Sequence, residues 1–221
     1  MTGITLAFDA ATYAGTVAVF RDYELLAGAT LEMRDRKEER LMPAIAHTLA
    51  RARVTPRDVG RVTCGGGPGS FTSLRIAAAI AKGLTVSLGA ELWVVPSLAL
   101  VVAGNARCTA GRYIAALDAM RGEWYARPFV VGPGGEVHPD GEPALWSTET
   151  LEAETDRRGA TLVGPGLRLD AGPHARGVTR LSPGPLLAKV NHETWEPDYG
   201  RLAEAQVKWE QVHGRALRAD E

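Results

Sequence analysis

The segment richest in chemical options is Gly66-Gly67-Pro68-Gly69-Ser70-Phe71-Thr72-Ser73-Leu74-Arg75. Glycines that run into a helix start leave backbone N–H groups without intrahelical partners, at the positive end of the helix dipole. Such a place suits phosphate. Gly67, Gly69, Ser70, Phe71, Thr72 and Arg75 are therefore candidates to contact a nucleotide phosphate or a partner segment. The same pattern also describes a tight strand-to-helix turn with Ser70 or Thr72 as N-cap. It is not a P-loop, because no Gly-Lys-Ser/Thr follows, and it does not fit the dinucleotide G-x-G-x-x-G pattern.

Two carboxylates, Asp9 and Asp118, each follow an apolar run and precede small residues. A pair of strand-end carboxylates can hold a metal–nucleotide complex or act as a base. A turn-forming aspartate that accepts backbone donors is the alternative for both. The five histidines, His47, His138, His174, His192 and His213, lie far apart, and Cys64 and Cys108 have no Cys or His neighbour at ligand spacing. That pattern speaks against zinc or iron, and no nucleophile elbow is present. Two isolated cysteines read as reduced thiols of a cytoplasmic protein.

The formal charge of −1 and a pI near 6.5 do not describe a chain that binds RNA alone through a basic face. A protein partner is the better expectation. The N-terminus shows no basic leader, and apolar runs such as Leu98 to Ala103 are too short to span a bilayer.

Positioning these groups falls to alternating elements. Ile4 to Phe8, Thr16 to Phe20 and Leu25 to Met33 read as an antiparallel meander. From Glu38 the period becomes helical, with Leu41, Ile45, Leu49 and Ala52 in register and Pro43 required in the first turn. Arg61 to Cys64 is a strand, Ser70 to Leu88 a small-residue helix, Leu92 to Val95 a strand, and Pro96 opens a helix through Leu100. The order β-β-β-α-β-α-β-α resembles one lobe of an actin-like, ribonuclease H-type α/β fold. A second lobe opens near Arg112, where Asp118-Ala119 and Phe129 repeat the offsets of Asp9-Ala10 and Phe20. The expected division is 1–109 for the first lobe and 110–221 for a smaller second lobe with a charged tail. Helices are expected at Thr148 to Arg157, Pro185 to Val190 and Ala203 to Gln211.

Gly-Pro-Gly-Ser-Phe-Thr at 67–72, Leu74-Arg75-Ile76 and Ala81-Lys82-Gly83-Leu84 resemble the signature of the TsaB (YeaZ-like) family. Asp118-Ala119 with Arg121-Gly122-Glu123-Trp124-Tyr125, Glu39 to Pro43, and Glu196-Pro197-Asp198-Tyr199 are also similar to it. The resemblance implies a two-lobed paralogue of TsaD that makes no catalytic contribution to threonylcarbamoyladenosine synthesis in transfer RNA. It implies pairing with TsaD and recruitment of the ATPase TsaE. It leaves open a homodimer in isolation, ATP or ADP at the partner interface, and tRNA contact only through the complex. Ser97 and Val101 stand where TsaD carries its two metal-binding histidines. Asp9-Ala10-Ala11 replaces the family's usual Asp-Thr-Ser, Lys37 replaces a frequent histidine, and Ser73 stands where glycine is usual. The rival is a small phosphotransferase of the actin-like class using Asp118 and the Gly67–Ser70 loop.

The expected TsaD contact is the pair of first-lobe helices, through Leu41, Met42, Ile45 and Leu49 on one and Leu74, Ala77, Ala78 and Ala81 on the other. Both helices carry more apolar surface than one stripe against a sheet requires. The alternative is that all of these side chains face their own lobe.

Overall fold

The computed structural model describes residues 3–33 and 39–200. The first strand, β1 (Ile4–Asp9), is buried along its whole length and lies at the centre of a six-stranded sheet. β2 (Ala14–Arg21) and β3 (Glu24–Glu32) follow it as the expected meander, with Asp9 opposite Thr16 and Arg21 opposite Glu24. The chain then forms helix α1 (Leu41–Arg51) and strand β4 (Val59–Gly65), which pairs parallel with β1. Helix α2 (Phe71–Leu88) crosses to β5 (Glu91–Val95), parallel to β4. Crossovers between parallel strands need a connection of this length, and a helix lying on the sheet supplies it.

Both helices end or begin as their sequences dictate. Glu39 caps α1, its carboxylate accepting from the amides of Leu41 and Met42. Pro43 falls in the first turn, where its missing donor costs nothing. Gly89 ends α2 in the left-handed conformation, φ 63°, which glycine adopts without a Cβ penalty. By length and composition α2 is apolar enough to cross a membrane, so the expectation that no stretch is long enough needs correcting. In this fold α2 lies against β4 as a crossover and the sheet covers one of its sides.

Helix α3 (Ser97–Ala103) is buried at all seven positions, and it joins the two halves. The second sheet contains β6 (Gly111–Asp118), β7 (Glu123–Val131), β8 (Val137–Pro139), β9 (Ala144–Ser147), β10 (Thr161–Gly164) and β11 (Leu169–Asp170), with helix α4 (Thr148–Arg158) between β9 and β10. Its order, β11-β10-β6-β7-β8, matches the first sheet's β5-β4-β1-β2-β3 strand for strand. The weak repeat around Asp9 and Asp118 thus reflects duplicated topology: each aspartate ends the strand at the same place in its sheet. This is the two-lobed actin-like fold. The second lobe is abbreviated, since the connection from β10 to β11 is a turn where the first lobe has α2.

One core cluster carries Ala7, Ala18 and Phe20 of the first sheet, every apolar side chain of α3, and Phe129, Val131 and Val163 of the second. The helix is the filling between two sheets. A 3-10 stretch at Ala175–Arg180 packs on it. The Arg180 guanidinium donates to the carbonyls of Gly135 (2.6 Å), Ala103 (3.1 Å), Asn105 (3.1 Å) and Cys108 (2.7 Å). It thereby satisfies carbonyls that the end of α3 leaves orphaned. The expected helix at Pro185 to Val190 is instead a bridged turn and a short strand, β12 (Ala188–Lys189), which pairs with β5. Gly184 and Pro185 precede a stretch too short to nucleate a helix, and its Leu186 and Leu187 are buried in the core between the sheets. The chain thus returns to the first sheet after residue 180 and continues along it to residue 200. The expected Ala203 to Gln211 helix and Lys37 lie outside the described residues.

His174 marks the seam. Its amide donates to Leu100, its Nδ1 accepts from the Arg176 amide (3.2 Å), and Thr16 of β2 holds the carbonyl of Pro173 and the amide of Ala175. Burial, with the Arg176 charge second, pushes its pKa down from 6.5 to about 4. The unfolded chain therefore takes up a proton that the folded histidine refuses. Stability from this site is present above about pH 6.5 and is lost as the pH falls through about 4. Thermal melts across this range are expected to show a drop in midpoint that is shallower in His174→Gln; an unchanged pH slope in that variant counts against the assignment.

Candidate functional site

The glycine-rich segment leaves β4 and turns into α2, as the sequence suggests, but three of its amides donate within the chain. The Gly66 amide donates to Val95 O (2.8 Å), the Gly67 amide to Ser97 Oγ (3.1 Å) and the Ser70 amide to Ala11 O (2.7 Å). Pro68 has no amide hydrogen. The loop is closed on its other side too: Gly67 O accepts from the Ser97 amide (2.7 Å) and Gly66 O from the Asp198 amide (2.8 Å). A Cβ at Gly69 would strike the Ala11 carbonyl, and one at Gly67 would strike the carbonyl of Asp198. Here the glycines permit close approach of the chain's own backbone. Ser70 is the N-cap residue by position but makes no capping bond; its hydroxyl meets Ser73 Oγ at 3.2 Å.

Asp9 ends β1 fully buried. Its carboxylate accepts from Ser97 Oγ at 2.6 Å and from the Ala11 amide at 2.8 Å. Burial raises its pKa, against the lowering effect of the Ser97 and Ala11 hydrogen bonds. Gly65 is the only residue type that fits beside it, since a Cβ there would overlap Asp9 Oδ2. Asp118 ends β6 in the same topological place but is exposed, and its Oδ1 accepts from the Met120 amide (2.7 Å). Met120, Arg121 and Gly122 then run at φ 66°, 60° and 76°, a left-handed turn stabilised by that aspartate. Asp9 and the loop are thus one cluster, with Ser97 between them. Phe71, Thr72 and Arg75 stand at the exposed start of α2, with the Arg75 guanidinium 5.2 Å from the Phe71 ring.

Sequence reasoning treated Ser97 as a lost metal ligand and missed it as the donor to Asp9. Its position directly after Pro96, at the start of a helix aimed at the end of β1, is the signal that was available. Val101 is fully buried among hydrocarbon in α3. Among the described residues, no three of His, Cys, Asp and Glu come together to hold a metal. The thiols of Cys64 and Cys108 are pushed up by burial, the latter to about 11, so neither is poised as a nucleophile.

The helix-face expectation needs correction residue by residue. Leu41, Ile45, Leu49, Ala77 and Ala81 belong to the first lobe's own core, and Leu74 and Ala78 are buried as well. Met42 alone of the eight is exposed, at 40 %. A core-facing stripe takes the large residues first, which is why the most hydrophobic positions were the wrong ones to assign outward. The small and apolar residues that face solvent include Met42, Pro43, Ala46 and Ala50 on α1, and Phe71, Ala79, Gly83 and Val86 on α2, the last 65 % exposed.

Comparison with known proteins fits this geometry. The family model for TsaD, tRNA N6-adenosine threonylcarbamoyltransferase, matches residues 32–133. The TsaB protein of Bacillus subtilis is 29 % identical over 92 % of this chain and 96 % of its own length. That of Escherichia coli is 34 % identical over 66 % of this chain and 63 % of its own. The crystal structure of YeaZ from Pseudomonas aeruginosa superposes with a TM-score of 0.76, at 26 % identity, over 90 % of this chain and all of its own. The chain is a TsaB/YeaZ-like protein. In this TsaB/YeaZ-like chain the glycine loop is the packing partner of Asp9, Ser97 and the 195–200 segment.

The Gly65–Asp9 fit is directly testable. Gly65→Ala is expected to cost about 1–3 kcal/mol as an overpacked buried site. The penalty should shrink when Asp9→Ala removes the clashing carboxylate, because the two effects share one contact. Denaturant melts of the four proteins in this cycle measure it, and additive losses would place the strain elsewhere.

Proposed function

We propose that this chain is the non-catalytic partner subunit of the tRNA threonylcarbamoyladenosine synthesis machinery. It docks on a TsaD-type subunit through the outward faces of α1 and α2 and helps recruit a TsaE-type ATPase. The observation that carries the docking surface is the row Ala79, Gly83 and Val86 on α2. Those residues are exposed after the lobe's own core has been filled by the opposite side of the helix. A row of small residues lets a partner helix approach closely. The role for which its relatives are named, tRNA threonylcarbamoyladenosine biosynthesis, supplies the process.

The non-catalytic part of the reading draws on the sealed loop. An actin-like phosphotransferase needs free loop amides for phosphate and carboxylates open to a metal–nucleotide complex. Here the amides of Gly66, Gly67 and Ser70 are engaged within the chain, and the Asp9 carboxylate is out of reach of solvent. A nucleotide, where one takes part, is placed by this reading at the interface with the partners. tRNA contact is through the assembled complex, in the cytoplasm.

Gly83→Glu tests the surface without disturbing the fold. A Cβ at Gly83 meets nothing within 4 Å, so the new side chain projects outward. Replacing an exposed helical glycine should stabilise the isolated chain by roughly 0.5–1 kcal/mol. Size-exclusion chromatography with light scattering is expected to show loss of co-elution with the TsaD protein of the same genome. A folded Gly83→Glu chain that still pairs with wild-type affinity would overturn this interface. ATP turnover by the chain alone, abolished in Asp118→Asn, would favour the phosphotransferase.

A further inference from the structure

The last described segment crosses the first sheet and ends on the second lobe. After β12 it turns through Asn191 to Trp195, whose ring packs in the first lobe's core. Glu196 pairs with Lys82 of α2 at 2.6 Å. The Asp198 amide donates to Gly66 O at 2.8 Å, and the Tyr199 ring lies 4.7 Å from that of Phe71 at 44°. On the far side, Tyr125 of β7 donates its hydroxyl to Tyr199 O at 3.4 Å, and Gly200 is pressed between Tyr125 and Pro68. Trp195, Glu196, Asp198 and Tyr199 are thus anchored on the first lobe, and Tyr125 is the anchor on the second.

We propose that Trp195–Gly200 is an interlobe latch: it seals the glycine loop and ties the second lobe to the start of α2. Its position over the loop is specific, because the Gly67 position tolerates no Cβ against the Asp198 carbonyl. The latch is made of a few directional contacts at one end of the seam, while the α3 core holds the middle. Opening it uncouples Tyr125 from Phe71 and uncovers Gly66 and Gly67 without unfolding either sheet. Sub-global openings of this kind have their own free energy, lower than that of global unfolding. The latch thus keeps the face of α2 and the second lobe in one fixed relation, and its release is the conformational step available to a partner that inserts at the loop.

Amide hydrogen exchange on the full chain tests this. In the wild type the Asp198 amide is expected to be protected, as its bond to Gly66 requires. In the double variant Phe71→Ala/Tyr199→Ala, segment 195–200 should exchange at least about tenfold faster, while β1, β2 and β4 keep wild-type protection. Tyr125→Phe, which removes the cross-lobe hydroxyl bond, should give a smaller acceleration confined to the same segment. Unprotected Asp198 in the wild type would overturn the latch, as would unchanged exchange in the double variant. If the double variant loses protection throughout, Tyr125→Phe decides by itself: localised acceleration supports the latch, and none overturns it.

Discussion

Ser97 donates its hydroxyl proton to Asp9 and accepts the Gly67 amide proton at the same oxygen, with every participant buried. Three pieces of chain meet there: the end of β1, the turn after β4, and the first residue of α3 after β5. A buried carboxylate is tolerated only when its oxygens are met, and once met it fixes the groups that meet it. Because α3 is the filling between the two sheets, fixing its first residue on the first sheet sets where the second sheet can pack. The glycine loop is short and free of Cβ atoms at the close approaches, and it turns its Gly67 amide inward to this polar knot.

The same knot separates the two aspartates that look equivalent in sequence. Duplicated topology brings both to the end of the corresponding strand. In the first lobe the following helix-bearing crossovers bury that end; in the second the abbreviated β10–β11 connection leaves Asp118 in the open. What a strand-end carboxylate can do is therefore decided by what is stacked above it, and burial has turned Asp9 into an architectural group.

The element order of the first lobe, the meander, α1, α2 and α4 were legible because hydrophobic period and turn residues are local signals. The fold class followed from their order. The face assignment on α1 and α2 failed for a physical reason: periodicity says that Ile45 and Ala77 share a stripe with their neighbours, but not which object the stripe meets. Ile45 and Ala77 lie in the core because the crossover geometry presents that side to the sheet. The 195–200 segment was visible only as a motif, Glu196-Pro197-Asp198-Tyr199, because its contacts are to residues distant in sequence, such as Gly66, Phe71, Lys82 and Tyr125. Non-local polar contacts of this type leave no periodic trace.

Composition alone would place α2 among hydrophobic helices, yet its solvent side is small more than greasy. A glycine at 83 costs its helix about 1 kcal/mol relative to alanine. Within this chain nothing requires it: φ there is ordinary, and the space beside it is open. Gly65, Gly67 and Gly69 each have an internal reason, a carboxylate or a carbonyl pressed against them. Gly83 has none. Beside it lie Ala79, also small and exposed, and Val86, an apolar side chain left in water. Helix stability argues against such a row, and so does solubility, while close backbone approach by another helix is the circumstance in which both costs are offset. Within the loop and α2, a close neighbour accounts for Gly65, Gly66, Gly67 and Gly69 and a left-handed φ for Gly89, so the unexplained Gly83 points outward.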